Sequence, residues 1–141
     1  MLIFQDSIKT CPPLDILLIG GPEPSWIPSS DMQTFLRTQH EHVSAFMSVC
    51  TGYLGPLHAG LLRNTRATAP RGLLHSLKGF PDVQWEERRW VRDGKMWSSG
   101  AVMNGFEMMG EFMRERWGGE EGGLVDVVLK AADVMKRGRE Y

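Results

Sequence analysis

The stretch Ala45 to Gly60, AFMSVCTGYLGPLHAG, constrains the fold of this chain more than any other. A short apolar run stops at Cys50, and Thr51, Gly52 and a helix-like pattern follow at once. Val43 to Val49 reads as a strand and Thr51 to Leu62 as the helix leaving it. A strand that turns sharply into a helix lifts the residue at the turn out of the sheet. It also aims the first free helix N–H groups at the same spot. The partial positive charge of that helix end favours thiolate over thiol, and thiolate is the reactive form. Cys50 is therefore a candidate nucleophile. A second reading stands beside it, a buried cysteine acting as a small hydrophobe, because free cysteine is among the most often buried residue types.

The remaining segments supply the sheet and the layers around that turn. LDILLIGG, Leu14 to Gly21, reads as a strand apolar on both faces, as covered parallel strands are. It ends in Gly20-Gly21-Pro22, at the strand edge where open α/β sheets place their sites. The proline-rich loop GPEPSWIPSSD follows, with Trp26 expected to pack on the surface of the domain or, as the alternative, to cover a pocket. Ser30-Asp31-Met32-Gln33 has capping-box spacing and predicts a helix from Ser30 to Gln39, with His40 and His42 in its polar exit. Gly55-Pro56 predicts an irregular start to the helix after Cys50. His58, eight residues past Cys50, lies about 12 Å along a helix axis and is too far to act as its base. Short strands are expected at Arg66 to Thr68 and Val83 to Trp85, and a short helix at Leu73 to Leu77. Asp93-Gly94, between WVR and KMW, signals a hairpin. A long helix follows Ser99-Gly100, with Val102, Phe106, Met109, Met113 and Trp117 as its expected core stripe. Leu124, Val128, Ala131 and Met135 mark a last helix. Alternating strands and helices of this kind make an α/β fold with a mainly parallel sheet.

Length and charge narrow the function. A chain of 141 residues is a single domain, and a net charge of −1 argues against nucleic acid as a partner. Cys11 and Cys50 have no metal-ligand spacing with each other or with the four histidines, so no metal, cofactor or disulfide framework is expected. No run is long and apolar enough to span a bilayer. The N-terminus MLIFQDSIKT lacks a basic n-region with a long apolar run. The expectation is a cytoplasmic protein without a membrane partner.

In order, the pieces LDILLIGGP, SVCTG, AGLLRNTRAT, FPDVQW and RRWVRDGKMWSSGA, with the long helix after them, resemble the DJ-1/PfpI (ThiJ) family. That family has the class I glutamine amidotransferase-like fold, and the resemblance is to its isonitrile hydratase-like branch. The match covers about 13–117, leaving 118–141 as a C-terminal helix of the same 1–141 domain. It implies a flavodoxin-like three-layer sandwich. Cys50 would be the nucleophile, and the N–H groups of Gly21 and Thr51 would be the oxyanion donors. The substrate would be a small carbon–nitrogen or carbonyl electrophile, and the reaction that of a hydratase, hydrolase or glyoxalase-like lyase. Relatives begin with a strand, a helix and further strands before the segment matching LDILLIGG, including the acidic residue that serves the cysteine. This chain is expected to lack them. Glu23 is then the acidic residue nearest that edge. Ala69, Pro70 and Arg71 replace the usual threonine, histidine and aromatic. A truncated, non-catalytic member with a binding, redox or interaction role is the alternative. Leu14 to Ile19 would then be an exposed apolar edge, and the chain a homo-oligomer.

Overall fold

The computed structural model describes residues 7–141. Four strands form the main sheet in the order β1-β2-β6-β5, where β1 is Ile16–Ile19, β2 Ala45–Val49, β5 Trp90–Asp93 and β6 Met96–Ser99. β1 and β6 run parallel to β2, with Ile19 opposite Ser48 and Val49 opposite Ser99. β5 is antiparallel to β6 in the expected hairpin, and Gly94, at φ 57°, opens its two-residue turn. β3, Arg66–Ala67, and β4, Gln84–Trp85, make a separate parallel pair. The architecture is the α/β, flavodoxin-like, mainly parallel one that the sequence implied.

Two cores explain the layers. On one face Leu17, Phe46 and Met96 pack with Leu36 of α1 (Ser30–His42) and with Ala59 just beyond α2 (Leu54–His58). On the other, Ala45, Met47, Trp90 and Trp97 pack with Met108 and Phe112 of α4 (Val102–Trp117). Inward side chains on both sides of β2 are what a central strand covered by helices requires. A small third core joins Tyr53, Leu54, Ala69 and Leu77 near α3 (Arg71–Leu74), with Trp26 packed against it. α5, Leu124–Ala131, rests on α4.

Several local expectations are corrected. Ser29, not Ser30, caps α1, its hydroxyl accepting the Met32 amide at 3.2 Å. The helix continues through His40 and His42, and His40 packs edge-on against Phe46 at 5.8 Å. The helix after Cys50 has the irregular start expected, a 3-10 turn, Cys50–Tyr53, but the α2 that follows ends at His58 rather than Leu62, with Pro56 in its first turn where a missing N–H costs nothing. α4 is rotated relative to its expected stripe. Asn104, Gly105, Met108 and Phe112 face inward, while Val102, Phe106 and Trp117 are more than half exposed. The cause is Gly105: a Cβ there would lie 2.9 Å from a Val49 methyl, so this is the face that fits closest to β2. The same rotation buries Glu107, which pairs with Arg137. α5 likewise buries Val125 and Leu129 rather than Leu124 and Val128. Beyond Ala131 the chain is irregular and returns toward α4 and β5.

Among the described residues β1 forms one edge of the sheet. Leu17 is buried and Leu18 is 52% exposed, so the edge is covered on the α1 side and open on the α4 side. No helix among the described residues is long and apolar enough to cross a membrane.

Candidate active site

The parallel strands β1, β2 and β6 deliver Gly20-Gly21, Cys50 and Gly100 to one edge of the sheet, at their carboxyl ends. This is the edge where open α/β sheets place ligands. Cys50 is half-buried and has φ 58°, the left-handed conformation that a non-glycine residue adopts at a penalty of about 1–2 kcal/mol. A residue held there needs surroundings that leave no alternative.

Those surroundings are the end of β1. A Cβ on Gly52 would lie 2.4 Å from the Ile19 carbonyl oxygen, so only glycine lets the 3-10 turn seat against that strand. The Thr51 hydroxyl donates to the Pro22 carbonyl at 2.5 Å. Gly21 sits against both residues, since a Cβ built on it would be 3.3 Å from Cys50 Cβ and 3.3 Å from the Thr51 nitrogen. Gly21, Cys50 and Thr51, three residues read from the sequence as one site, are thus brought together. The first amides of the 3-10 turn have no partner within their own helix.

Glu23 is placed differently. It lies on the exposed loop after Pro22, where its carbonyl accepts the Trp26 amide, and its carboxylate makes no hydrogen bond or ion pair among the described residues. His58 ends α2, away from the turn that starts it, and His75 is exposed. Among the described residues no side chain hydrogen-bonds to the Cys50 thiol. Among the described residues, no group of three or more His, Cys, Asp or Glu is placed to hold a metal. Cys11, also free, lies beside α1 with Asp31 and Thr34.

Three residues at this edge were not legible in the sequence. Tyr53, one helical turn past Cys50, is buried edge-on against Trp85 at 5.5 Å. Burial pushes its phenol above the ordinary range, and the Cys50 charge adds to that shift. Ser99, registered with Val49, is buried with an unpartnered hydroxyl. Asn104 accepts the Ala101 amide at 3.0 Å and so caps α4 beside Gly100. The three-residue spacing from Cys50 to Tyr53, one helical turn, is the one sequence signal that could have found any of them.

Comparison with known proteins agrees with the fold. The sequence profile described as the DJ-1/PfpI family matches residues 6–115. Over 131 residues the chain is 32% identical to isonitrile hydratase of Pseudomonas putida, covering 89% of this chain and 56% of that protein. It therefore spans little more than half the length of that relative. An AraC family transcriptional regulator of the same organism superposes with a TM-score of 0.75 at 18% identity, covering 94% of this chain and 70% of that one. Drosophila melanogaster DJ-1beta gives 0.70 at 17% identity, with 91% and 67% covered. Those two likenesses establish the fold alone.

Proposed function

This chain belongs to the DJ-1/PfpI family, and from that premise we propose that Cys50 is the nucleophile of a hydration reaction on a small carbon–nitrogen electrophile, an isonitrile in the first instance. The observation that carries the reading is the left-handed backbone of Cys50 at the strand-to-helix turn, with Gly21 and Thr51 packed against it. A conformation with an intrinsic penalty, maintained by a glycine contact and a threonine hydrogen bond, is how a fold presents a reactive side chain.

The chemistry then runs as follows. The Cys50 sulfur bonds to the isonitrile carbon and a proton is delivered to that carbon, giving a thioimidate on the enzyme. Water adds to the same carbon, the nitrogen takes a proton, the C–S bond breaks, and an N-substituted formamide leaves with the thiol restored. The amides of Gly21 and Thr51 stabilise negative charge as it develops. Glu23, on the loop that follows Gly21, is the candidate proton carrier. A carbonyl electrophile such as a 2-oxoaldehyde suits the same sulfur and donors.

One observation favours the second reading, a non-catalytic member with a binding, redox or interaction role: no described side chain hydrogen-bonds to the thiol. A general acid or base supplies typically 10²- to 10⁴-fold in rate, and without one a reactive thiol is a poor catalyst. Formamide production by the wild type and by Cys50→Ser separates the readings. Turnover by the wild type, lost in a folded Cys50→Ser protein, is the expected result. An active Cys50→Ser protein rules out the covalent route, and a wild type inert on isonitriles and 2-oxoaldehydes favours the second reading. Timed alkylation with mass mapping should label Cys50 faster than Cys11, and equal rates overturn the nucleophile assignment.

A further inference from the structure

We infer that residues 137–141 form a strap that holds the Tyr141 ring over the site edge, and that Tyr141 sets the size of electrophile admitted to Cys50; the inference rests on the reading of Cys50 as the nucleophile. The placement follows from the sheet. Val49 is registered with Ser99, so Cys50 and Gly100 follow the ends of neighbouring parallel strands, and adjacent strands lie about 4.8 Å apart. A Cβ on Gly100 would be 2.6 Å from the Tyr141 hydroxyl and 3.3 Å from the Ala69 carbonyl. Tyr141 therefore occupies the edge one strand over from the thiol, between the start of α4 and the start of α3.

The strap is tied at both ends to the first turns of α4. Arg137 pairs with the buried Glu107, and Asn104 donates to Glu107 at 3.4 Å. Asn104 in turn accepts the Tyr141 hydroxyl at 3.5 Å. Between these ends the Arg89 amide donates to the Arg139 carbonyl at 2.8 Å, and the Arg139 guanidinium lies 4.4 Å over Trp90. The Tyr141 ring itself is held by cations: Arg71 stacks at 4.4 Å and Arg89 lies at 5.8 Å. Arg71 stands where the family resemblance led us to expect an aromatic over the pocket. Tyr141 restores an aromatic there from a distant part of the chain.

These ties are also of the kind that open. The strap has no regular secondary structure, Tyr141 is 45% exposed, and a groove of about 290 Å³ lies where the strap begins, between Met103 and Phe106 on one side and residues 132–135 with Arg137 on the other. A segment held by ion pairs and cation–π contacts, with few buried apolar contacts, belongs to the low-stability end of a structure.

The test uses the full chain with iodoacetamide as the small reagent and N-cyclohexylmaleimide as the bulky one, reading Cys50 by peptide mass and Cys11 as internal reference. Tyr141→Ala is expected to raise bulky labelling of Cys50 about tenfold relative to small labelling, the factor that losing about 1.4 kcal/mol of screening gives. Tyr141→Phe keeps the ring over Arg71 and loses only the 3.5 Å tie to Asn104, so its ratio is expected to stay nearer the wild type than that of Tyr141→Ala, and Cys11 is expected to be unchanged throughout. An unaltered bulky-to-small ratio in Tyr141→Ala overturns the inference even if Cys50 is highly reactive. The opposite failure is separable. A Cys50 no faster than Cys11 toward iodoacetamide removes the nucleophile reading, whereas the ratio still reports whether Tyr141 screens the thiol.

Discussion

Gly52→Ala tests the coupling between β1 and the elbow directly. The new Cβ would sit 2.4 Å from the Ile19 carbonyl oxygen and 3.1 Å from the Gly20 oxygen. Both neighbours are backbone, so no rotamer change relieves the contact. Ordinary van der Waals contact begins near 3.4 Å, and the 3-10 turn must therefore retreat from β1 by about 1 Å in an interior packed like a crystal. Overpacking of this kind costs about 1–3 kcal/mol. With a urea dependence of about 2 kcal/mol/M, a loss of about 2 kcal/mol lowers the unfolding midpoint by about 1 M. The function should suffer more than the fold, because a 1 Å misplacement at a reacting centre can cost about 10²-fold in rate. Urea unfolding followed by tryptophan fluorescence reads the first effect, and Cys50 alkylation or turnover reads the second. Gly20→Ala is the control, since a Cβ there meets nothing within 4 Å. It should shift stability by no more than about 0.5 kcal/mol. If Gly52→Ala has the midpoint and the Cys50 rate of the wild type, the turn is not held by β1, and the account of the elbow is wrong.

Two further outcomes follow from the same structure. His40 titrates below its ordinary value of 6.5, chiefly through burial and then through Lys95, with Glu41 opposing. Because its folded pKa is depressed, the unfolded chain takes up the proton first. Stability owed to neutral His40 is complete above pH 6.5 and is lost as pH falls through the folded value. The urea midpoint should fall less steeply between pH 7 and pH 5 in His40→Gln than in the wild type, and equal slopes refute the assignment. The open β1 edge with exposed Leu18 predicts self-association or aggregation of the 141-residue chain. Leu18→Lys should reduce it in light scattering, and a monomeric wild type with a cooperative melt near 45–65 °C contradicts it.

Local chemistry made much of this protein legible in its sequence. The run AFMSV, Cys50, Thr51 and Gly52 carries a strand, a turn and a helix start in adjacent residues, so the elbow was readable before any contact was known. Gly20-Gly21 was readable for a similar reason, since glycines at the end of an apolar strand mark a close approach of backbone. The Asp93-Gly94 hairpin was readable because its turn preference is local. The family order of these pieces then supplied the fold. What only the tertiary structure decided lies where distant segments meet. The helix period of α4 offered Val102, Phe106 and Trp117 as a stripe, and periodicity cannot say which of two faces turns inward. Gly105 pressed on Val49 settles that, and it exposes the stripe while burying Glu107 against Arg137. Asn104 and Tyr141 join the site edge in the same way, across 37 residues of chain. Their place depends on how the chain returns after α5, a matter of packing and ion pairing between segments that share no local pattern.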